Sequence, residues 1–229
     1  MRAIDEEYLE HPYYGRRRMT IAMRKQGFCV GQTAVRTAMR EMGLEAIYPK
    51  PNLSIANKDH KKFPYLLRDL AVDHPNQAWA ADITYVPLQV GFGYLFAIID
   101  WFSRYVVEWE ISNLLDTSFC MEALERGLLK KTPEIFNTDQ GVQFTSNQFT
   151  GRLEKDGIRI SMDGKGRALD NVFIERLWRS VKYEDIYPKG YDSLRELREG
   201  LRRYFEFYNE KRPHQSLQYQ TPAEVYFKK

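Results

Sequence analysis

The 229-residue chain carries 34 Lys+Arg against 31 Asp+Glu, a formal net charge of +3, too balanced to mark it as a general polyanion binder. Cys29 and Cys120 form no CxxC pair and the four histidines fall at no zinc-ligand spacing, so a disulfide framework and a structural zinc are excluded and a reducing compartment is expected. No apolar run reaches about 18 residues and the N-terminus is acidic, so neither a membrane span nor a signal peptide is indicated, and the expected location is cytoplasmic.

The charge is unevenly spread, because residues 1–62 hold 12 Lys+Arg against 7 Asp+Glu. A phosphate-facing surface would want its positive excess there. Residues 2–11 are polar and make a short helical lead-in at most. Arg16-Arg17-Arg18 opens a helix expected to reach Gln26 and stop at Gly27, and a second is expected from Gln32 to Met42 with Gly43 at its C-terminal cap. In the second, Val35, Ala38, Met39 and Met42 recur at helical spacing and would face the first helix, which turns Thr33, Arg36, Thr37 and Arg40 outward. That pattern fits a helix-turn-helix-like DNA-binding unit over 1–48, with Arg36 and Arg40 on DNA, or a small helical hairpin with a solvated basic face. Residues 49–76 are expected to be a linker: Pro49 to Pro64 holds three prolines, and Lys50, Lys58, Lys61 and Lys62 could track a DNA backbone or simply be solvated.

From Gln77 the pattern turns to strands. Ala78 to Leu88, Tyr94 to Phe102 and Tyr105 to Ile111 are rich in Val, Ile, Tyr, Phe and Trp, and their short connections predict an antiparallel meander. A helix is expected over Asp116 to Lys130, a strand over Ile135 to Thr138, a helix over Ser146 to Lys155 capped by Ser146, and a strand over Ile158 to Met162. The loop Ser161 to Leu169 carries Lys165 and Arg167 and leads into a helix containing Glu175. A last helix, Ser193 to Tyr208, aligns Leu194, Leu197, Leu201, Tyr204, Phe205 and Tyr208 on one stripe. Three antiparallel strands followed by α-β-α-β is the order of a ribonuclease-H-like α/β fold, a mixed five-stranded sheet with flanking helices, here assigned to 77–229.

Three carboxylates stand out in this frame. Asp82 lies mid-strand in Trp79-Ala80-Ala81-Asp82-Ile83-Thr84-Tyr85, and no Lys or Arg lies within seven residues of it. A carboxylate in an apolar setting costs several kcal/mol unless it is paired, hydrogen-bonded or bound to a cation, and a divalent metal would supply the missing charge. Asp139 follows the fourth strand, and 35 residues separate it from Glu175. On the Glu175 helix, Ile174, Leu177, Trp178 and Val181 share one direction, while Glu175, Arg179 and Lys182 lie together at the edge of that face. The alternatives are a metal-holding carboxylate with cations for DNA phosphate, or an ordinary Glu/Arg i, i+4 pair. Asp100, near the end of the second strand, and Asp170 are competing carboxylates; Asp170 or Asn171 is expected to cap the Glu175 helix.

Trp79-x-x-Asp82-Ile83-Thr84-Tyr85, Thr138-Asp139-x-Gly141-x-Gln143-Phe144, Asp170-Asn171-x-x-x-Glu175-Arg176, Tyr208-Asn209-x-x-Arg212-Pro213-His214-x-Ser216-Leu217 and Thr221-Pro222, in this order, resemble the integrase core of bacterial insertion-sequence transposases. More narrowly, the chain from about Tyr13 onward resembles the protein encoded by the second reading frame of the IS3 family. The resemblance implies metal-dependent DNA strand cleavage and strand transfer at insertion-sequence ends, with Asp82, Asp139 and Glu175 as catalytic residues holding two Mg²⁺ (or Mn²⁺) ions. It implies DNA partners, namely terminal repeats and target DNA, a homo-oligomer on DNA, and fusion by frameshift to an upstream-frame helix-turn-helix protein. Related proteins usually have more helical sequence ahead of the N-terminal unit. A non-catalytic DNA-binding regulator and a structure-selective nuclease of the same fold are the competing functions.

Overall fold

The computed structural model describes residues 1–47, 61–89, 91–164 and 171–228. The chain divides into two compact units, Met1–Ile55 and Ala56–Lys229.

Three helices build the first unit: α1 (Arg2–Glu10), α2 (Arg16–Lys25) and α3 (Gln32–Glu41). Met19, Met23, Val35 and Met39 are buried together with Ile4, so α1 contributes to the core rather than trailing from it. Gly27 (φ 91°) and Gly43 (φ 68°) end α2 and α3 in the left-handed region, where a Cβ is disfavoured. Thr33, Arg36, Thr37 and Arg40 form the exposed face of α3, as its periodicity predicts.

The second unit is built on a sheet of β1 (Ala78–Pro87), β2 (Phe92–Asp100), β3 (Val106–Ser112), β4 (Ile135–Thr138) and β5 (Arg159–Met162), in the order β3-β2-β1-β4-β5. The first three strands pair antiparallel, whereas β4 runs parallel to both β1 and β5. Side-chain alternation sorts each strand between two cores. Ala78, Ala80 and Val86 of β1 with Leu95, Ala97 and Ile99 of β2 face α6 (Val172–Val181) and α8 (Leu194–Glu210), packing against Ile174, Leu177, Leu197 and Leu201. Trp79, Ala81, Phe96 and Ile98 face the other way, onto α4 (Ser118–Lys130) and α5 (Asn147–Lys155) through Phe119, Leu124, Phe149 and Leu153. Ser146 caps α5 by accepting from the Phe149 N–H at 3.2 Å.

The region read as a linker is not one throughout. Lys50 and Lys58 lie outside the described residues, but 61–76 is tied to the core. Tyr65, Leu66, Leu67, Leu70 and Val72 pack on the α6/α8 side, Leu66 N–H donates to Ser161 Oγ at 2.9 Å, and Lys61 pairs with Glu154 at 2.7 Å. The apolar residues in this stretch bury themselves despite the prolines and lysines around them. Past α6 the helix widens into a π turn over Lys182–Ile186, continues as α7 (Tyr187–Lys189), and turns at Gly190 into α8. A final helix, α9 (Pro222–Tyr226), opens with a capping box between Thr221 and Glu224.

Candidate active site and the groove beside it

The parallel pairing of β1 with β4 ends at Ala80↔Asn137, and two residues further along each strand stand Asp82 and Asp139. Neighbouring strands lie about 5 Å apart, so this register sets two carboxylates side by side at the mouth of the sheet. Helix α6 crosses the same face, because Asp82 and Thr84 share the side of β1 that Ala78 and Ala80 pack against it. Trp178 Nε1 donates to Asp82 Oδ2 at 2.9 Å, and Lys182 Nζ donates to Thr84 Oγ1 at 2.7 Å. Glu175 is exposed one turn before Trp178 on that helix.

Electrostatics join the three acids. Burial pushes the Asp82 carboxyl up to about 6, and the negative charges of Asp139 and Glu175 push the same way, against the hydrogen bonds from Trp178 and the Ile83 backbone. Crowding by protein also raises Asp139, while the Gly141 N–H, donating to its Oδ1 at 2.8 Å, lowers it. Lys182 is shifted down by its own burial and up by Asp82, so it is the cation that chain folding brings to a carboxylate with none nearby in sequence.

The donor set is hard oxygen with excess negative charge, which suits Mg²⁺ or Mn²⁺ rather than a softer metal. Asp82 accepts from Trp178 Nε1 through Oδ2, and Asp139 accepts from the Gly141 N–H through Oδ1. Among the described residues, however, no group of three His, Cys, Asp or Glu side chains is gathered closely enough to hold a metal ion. The acids share one field without being closed into a ligand cage.

Asp100 does not join them. It is fully buried and accepts from the Asn76 N–H (2.7 Å), the Ser103 N–H (2.8 Å) and Ser103 Oγ (2.6 Å), which makes it the clasp of the β2–β3 turn. Asn171 is the N-cap of α6 but makes no side-chain capping bond, while Asp170 lies outside the described residues, as do Lys165 and Arg167. Arg179 is exposed, whereas Lys182 is half-buried at the first residue of the π turn rather than continuing the Glu175 face outward. Among the described residues Glu175 forms no ion pair with Arg179.

Two features carry no signal in the sequence pattern. Trp178 is more than core filling: a buried indole N–H seeks an acceptor, and here the acceptor is Asp82. Beside α6 lies an open cavity of about 640 Å³ whose lining includes Arg104, Arg176, Arg179, Tyr183, Arg212 and Tyr219. Of the C-terminal motif, Asn209 pins α8 to β3 by accepting from the Val106 N–H (2.9 Å) and donating to the Val106 carbonyl (3.0 Å). Arg212 grips Glu184 through two nitrogens, at 2.9 and 2.5 Å. His214 packs edge-on against Tyr208, and burial beside Arg212 holds it down to about 4.

Comparison with known proteins defines the class first. Integrase core domain families match residues 72–168 and 156–222, and an HTH-like domain family matches residues 1–52. The HTLV-2 integrase catalytic core domain, solved with magnesium in a dimeric form, superposes with a TM-score of 0.54 at 19% identity, over 67% of this chain and 97% of that one. The fold is therefore that of an integrase core, preceded by an HTH-like unit.

Relatives narrow it. The transposase for insertion sequence element IS629 of Shigella sonnei is 30% identical over 219 residues, covering 94% of this chain and 74% of the relative. Transposase InsF for insertion sequence IS3A of Escherichia coli is 32% identical over 208 residues, covering 88% and 72%. The chain belongs to the IS3 family of insertion-sequence transposases, and its function is DNA transposition by an enzyme that cuts and transfers DNA strands. Among the described residues no helix is long and apolar enough to cross a membrane.

Proposed function

We propose that Asp82, Asp139 and Glu175 are the catalytic carboxylates of this transposase and that together they hold two divalent ions, Mg²⁺ or Mn²⁺. The observation that supports the reading is the β1/β4 register: its last pair is Ala80↔Asn137, two residues before mid-strand Asp82 on one strand and before Asp139, just past β4, on the other. Bound there, the metal ions would activate the attacking oxygen and stabilise the departing one. The chain's own part is to hold the carboxylates: Trp178 orients Asp82, the Gly141 N–H orients Asp139, and α6 carries Glu175. In the first step water attacks a phosphodiester at an element end, forming one P–O bond while the bond to the 3′ oxygen breaks, and that oxygen leaves as a hydroxyl. In the second, the freed 3′-hydroxyl attacks target DNA, so one phosphodiester is exchanged for another with no oxidant or external energy source.

DNA contacts are assigned to Arg36 and Arg40 on α3, to Arg179 on α6 and Lys182 at the start of the π turn, and to Lys165 and Arg167, which precede α6 in sequence. The functional division is a DNA-binding unit at 1–48 and a catalytic core at 77–229, onto which 61–76 packs. The working form is a homo-oligomer on DNA that engages terminal repeats and target DNA, made as a fusion with the upstream-frame helix-turn-helix protein.

The experiment is incubation with the element's own end DNA and Mg²⁺, scored for nicked and joined strands. Asp82→Asn and Glu175→Gln should each abolish both products while DNA binding is retained. Cleavage persisting in either variant removes that residue from the site. Nicking without joining by the unaltered protein points to a nuclease, and binding without either product to a regulator.

A further inference from the structure

The groove beside α6 is not used by the carboxylate chemistry. We propose that it is a second nucleic-acid site, one that takes an unpaired DNA strand next to the cleavage point, with Arg104, Arg176 and Arg179 on its phosphates and Tyr183 and Tyr219 against its bases. The proposal rests on the DNA-processing reading above.

Arg104 is a built feature. The Asp100 clasp holds the β2–β3 turn, Arg104 occupies the left-handed region (φ 64°), and its guanidinium lies 3.4 Å over the Phe173 ring. Arg104 and Arg176 line the same groove and repel one another, and with Arg179 they have no ion pair among the described residues. Arg212 differs, because Glu184 already neutralises it and makes it a wall of the groove. Asp100 acts on half-buried Arg104 from the turn behind it, whereas Arg176 and Arg179 have no ion pair among the described residues, so the groove keeps positive charge for an anion from outside the chain.

The rim identifies the anion. Tyr183 and Tyr219 are each 70% exposed, so their rings gain little from the fold. Bases of a duplex are stacked on each other and leave such rings idle, whereas an unpaired strand offers base faces and phosphates together. A cavity of about 640 Å³ is in the range that accepts a ligand of nucleotide size. The adjoining cavity shares Arg104, Phe173 and Ser216 with it and is lined also by Trp101, whose buried indole N–H has no acceptor among the described residues.

The test measures anisotropy of a labelled oligothymidylate and of a labelled duplex with the full chain in EDTA, which takes metal binding out of the readout. Variants are Arg176→Gln, Tyr183→Ala and Tyr219→Asn; asparagine suits position 219 because the backbone there is left-handed (φ 64°). Arg176→Gln and the double tyrosine variant should each weaken oligothymidylate binding about tenfold and duplex binding by less than about twofold. Unchanged oligothymidylate affinity, or an equal loss on duplex, overturns the proposal, as does polyglutamate competing as well as oligothymidylate. The two readings fail separately: cleavage retained by Asp82→Asn sinks the carboxylate assignment and leaves the groove standing, whereas unaffected strand binding sinks the groove alone.

Discussion

Replacing Asp82 by Asn should make the metal-free protein more stable at neutral pH even as it abolishes strand cleavage. Folding moves this carboxyl from 3.8 to about 6, chiefly by burial, with Asp139 and Glu175 adding repulsion. At 1.36 kcal/mol per pKa unit, the charged form carries a penalty of about 3 kcal/mol in the folded state. The sign follows from the direction: a raised acid is easier to protonate when folded, so the penalty is absent below about pH 3.8, grows through about pH 6 and is complete above it. Asparagine retains an acceptor for Trp178 Nε1, while its amide adds a donor whose incomplete satisfaction costs about 1 kcal/mol. The net expectation is a gain of about 1 to 3 kcal/mol at pH 7.5, or a few degrees in Tm for a chain of this size. Urea denaturation in EDTA at several pH values reads it directly. Mg²⁺ should raise the Tm of the unaltered protein and leave that of Asp82→Asn nearly unmoved, because only the former offers the full ligand set. An Asp82→Asn protein that is less stable at pH 7.5, or whose difference from the parent does not change between pH 4 and pH 7.5, would refute the reasoning.

Arg36→Ala with Arg40→Ala should weaken DNA binding and flatten its salt dependence by roughly one in log–log slope for each phosphate no longer neutralised; an unaltered slope in a titration against NaCl leaves α3 a solvated helix. Lys182→Glu removes the bond to Thr84 and sets a fourth acid beside the cluster, so end binding and strand joining should fall together, by an amount on the order of 1 to 3 kcal/mol in a binding isotherm. Lys189 is a poor comparison because it pairs with the buried Asp185, whereas exposed Lys131, with no ion pair among the described residues, should tolerate the same reversal. Gly200→Ala should destabilise the second unit by about 2 to 4 kcal/mol in a denaturant titration, since its Cβ would collide with the Tyr191 ring and break the Tyr191 Oη to Asp185 bond (2.8 Å).

The strands, the helices and the Asp139 to Glu175 spacing are legible in the sequence because their signals are local. Alternation on β1 separates Ala78, Ala80 and Asp82 from Trp79 and Ala81, and the structure sorts them onto two faces in that way. What is not legible depends on contacts distant in sequence. Trp178 meets Asp82, and Lys182 meets Thr84, across more than ninety residues. The π turn at Lys182 has no signal in a projection at a fixed 100° per residue, so that projection places Lys182 outward with Glu175 when it turns in toward β1. In 61–76 the signal is present in Leu66, Leu67, Leu70 and Val72, but proline and lysine dominate the surrounding composition and hide it.

The charges around α6 fall into two sets that do not neutralise each other. Asp82, Asp139 and Glu175 act together, where the other two raise the proton affinity of Asp82; Arg104, Arg176 and Arg179 line the neighbouring groove. Glu175 and Arg179 are four residues apart, the spacing at which an exposed pair readily forms, yet no such pair exists among the described residues. If stability alone decided the arrangement, pairing across the helix would relieve both sets at once. Kept apart, each would remain available to a ligand of opposite sign: under the proposed function, divalent ions for the acids and phosphates for the arginines. A metal-bearing DNA end carries both signs in the spacing of one backbone, so its binding would discharge the two sets together. Metal and DNA should therefore bind with positive coupling, each raising the affinity for the other by the same factor, which DNA titrations at several Mg²⁺ concentrations would read. The coupling should disappear in Arg176→Gln combined with Arg179→Gln even though every carboxylate is intact.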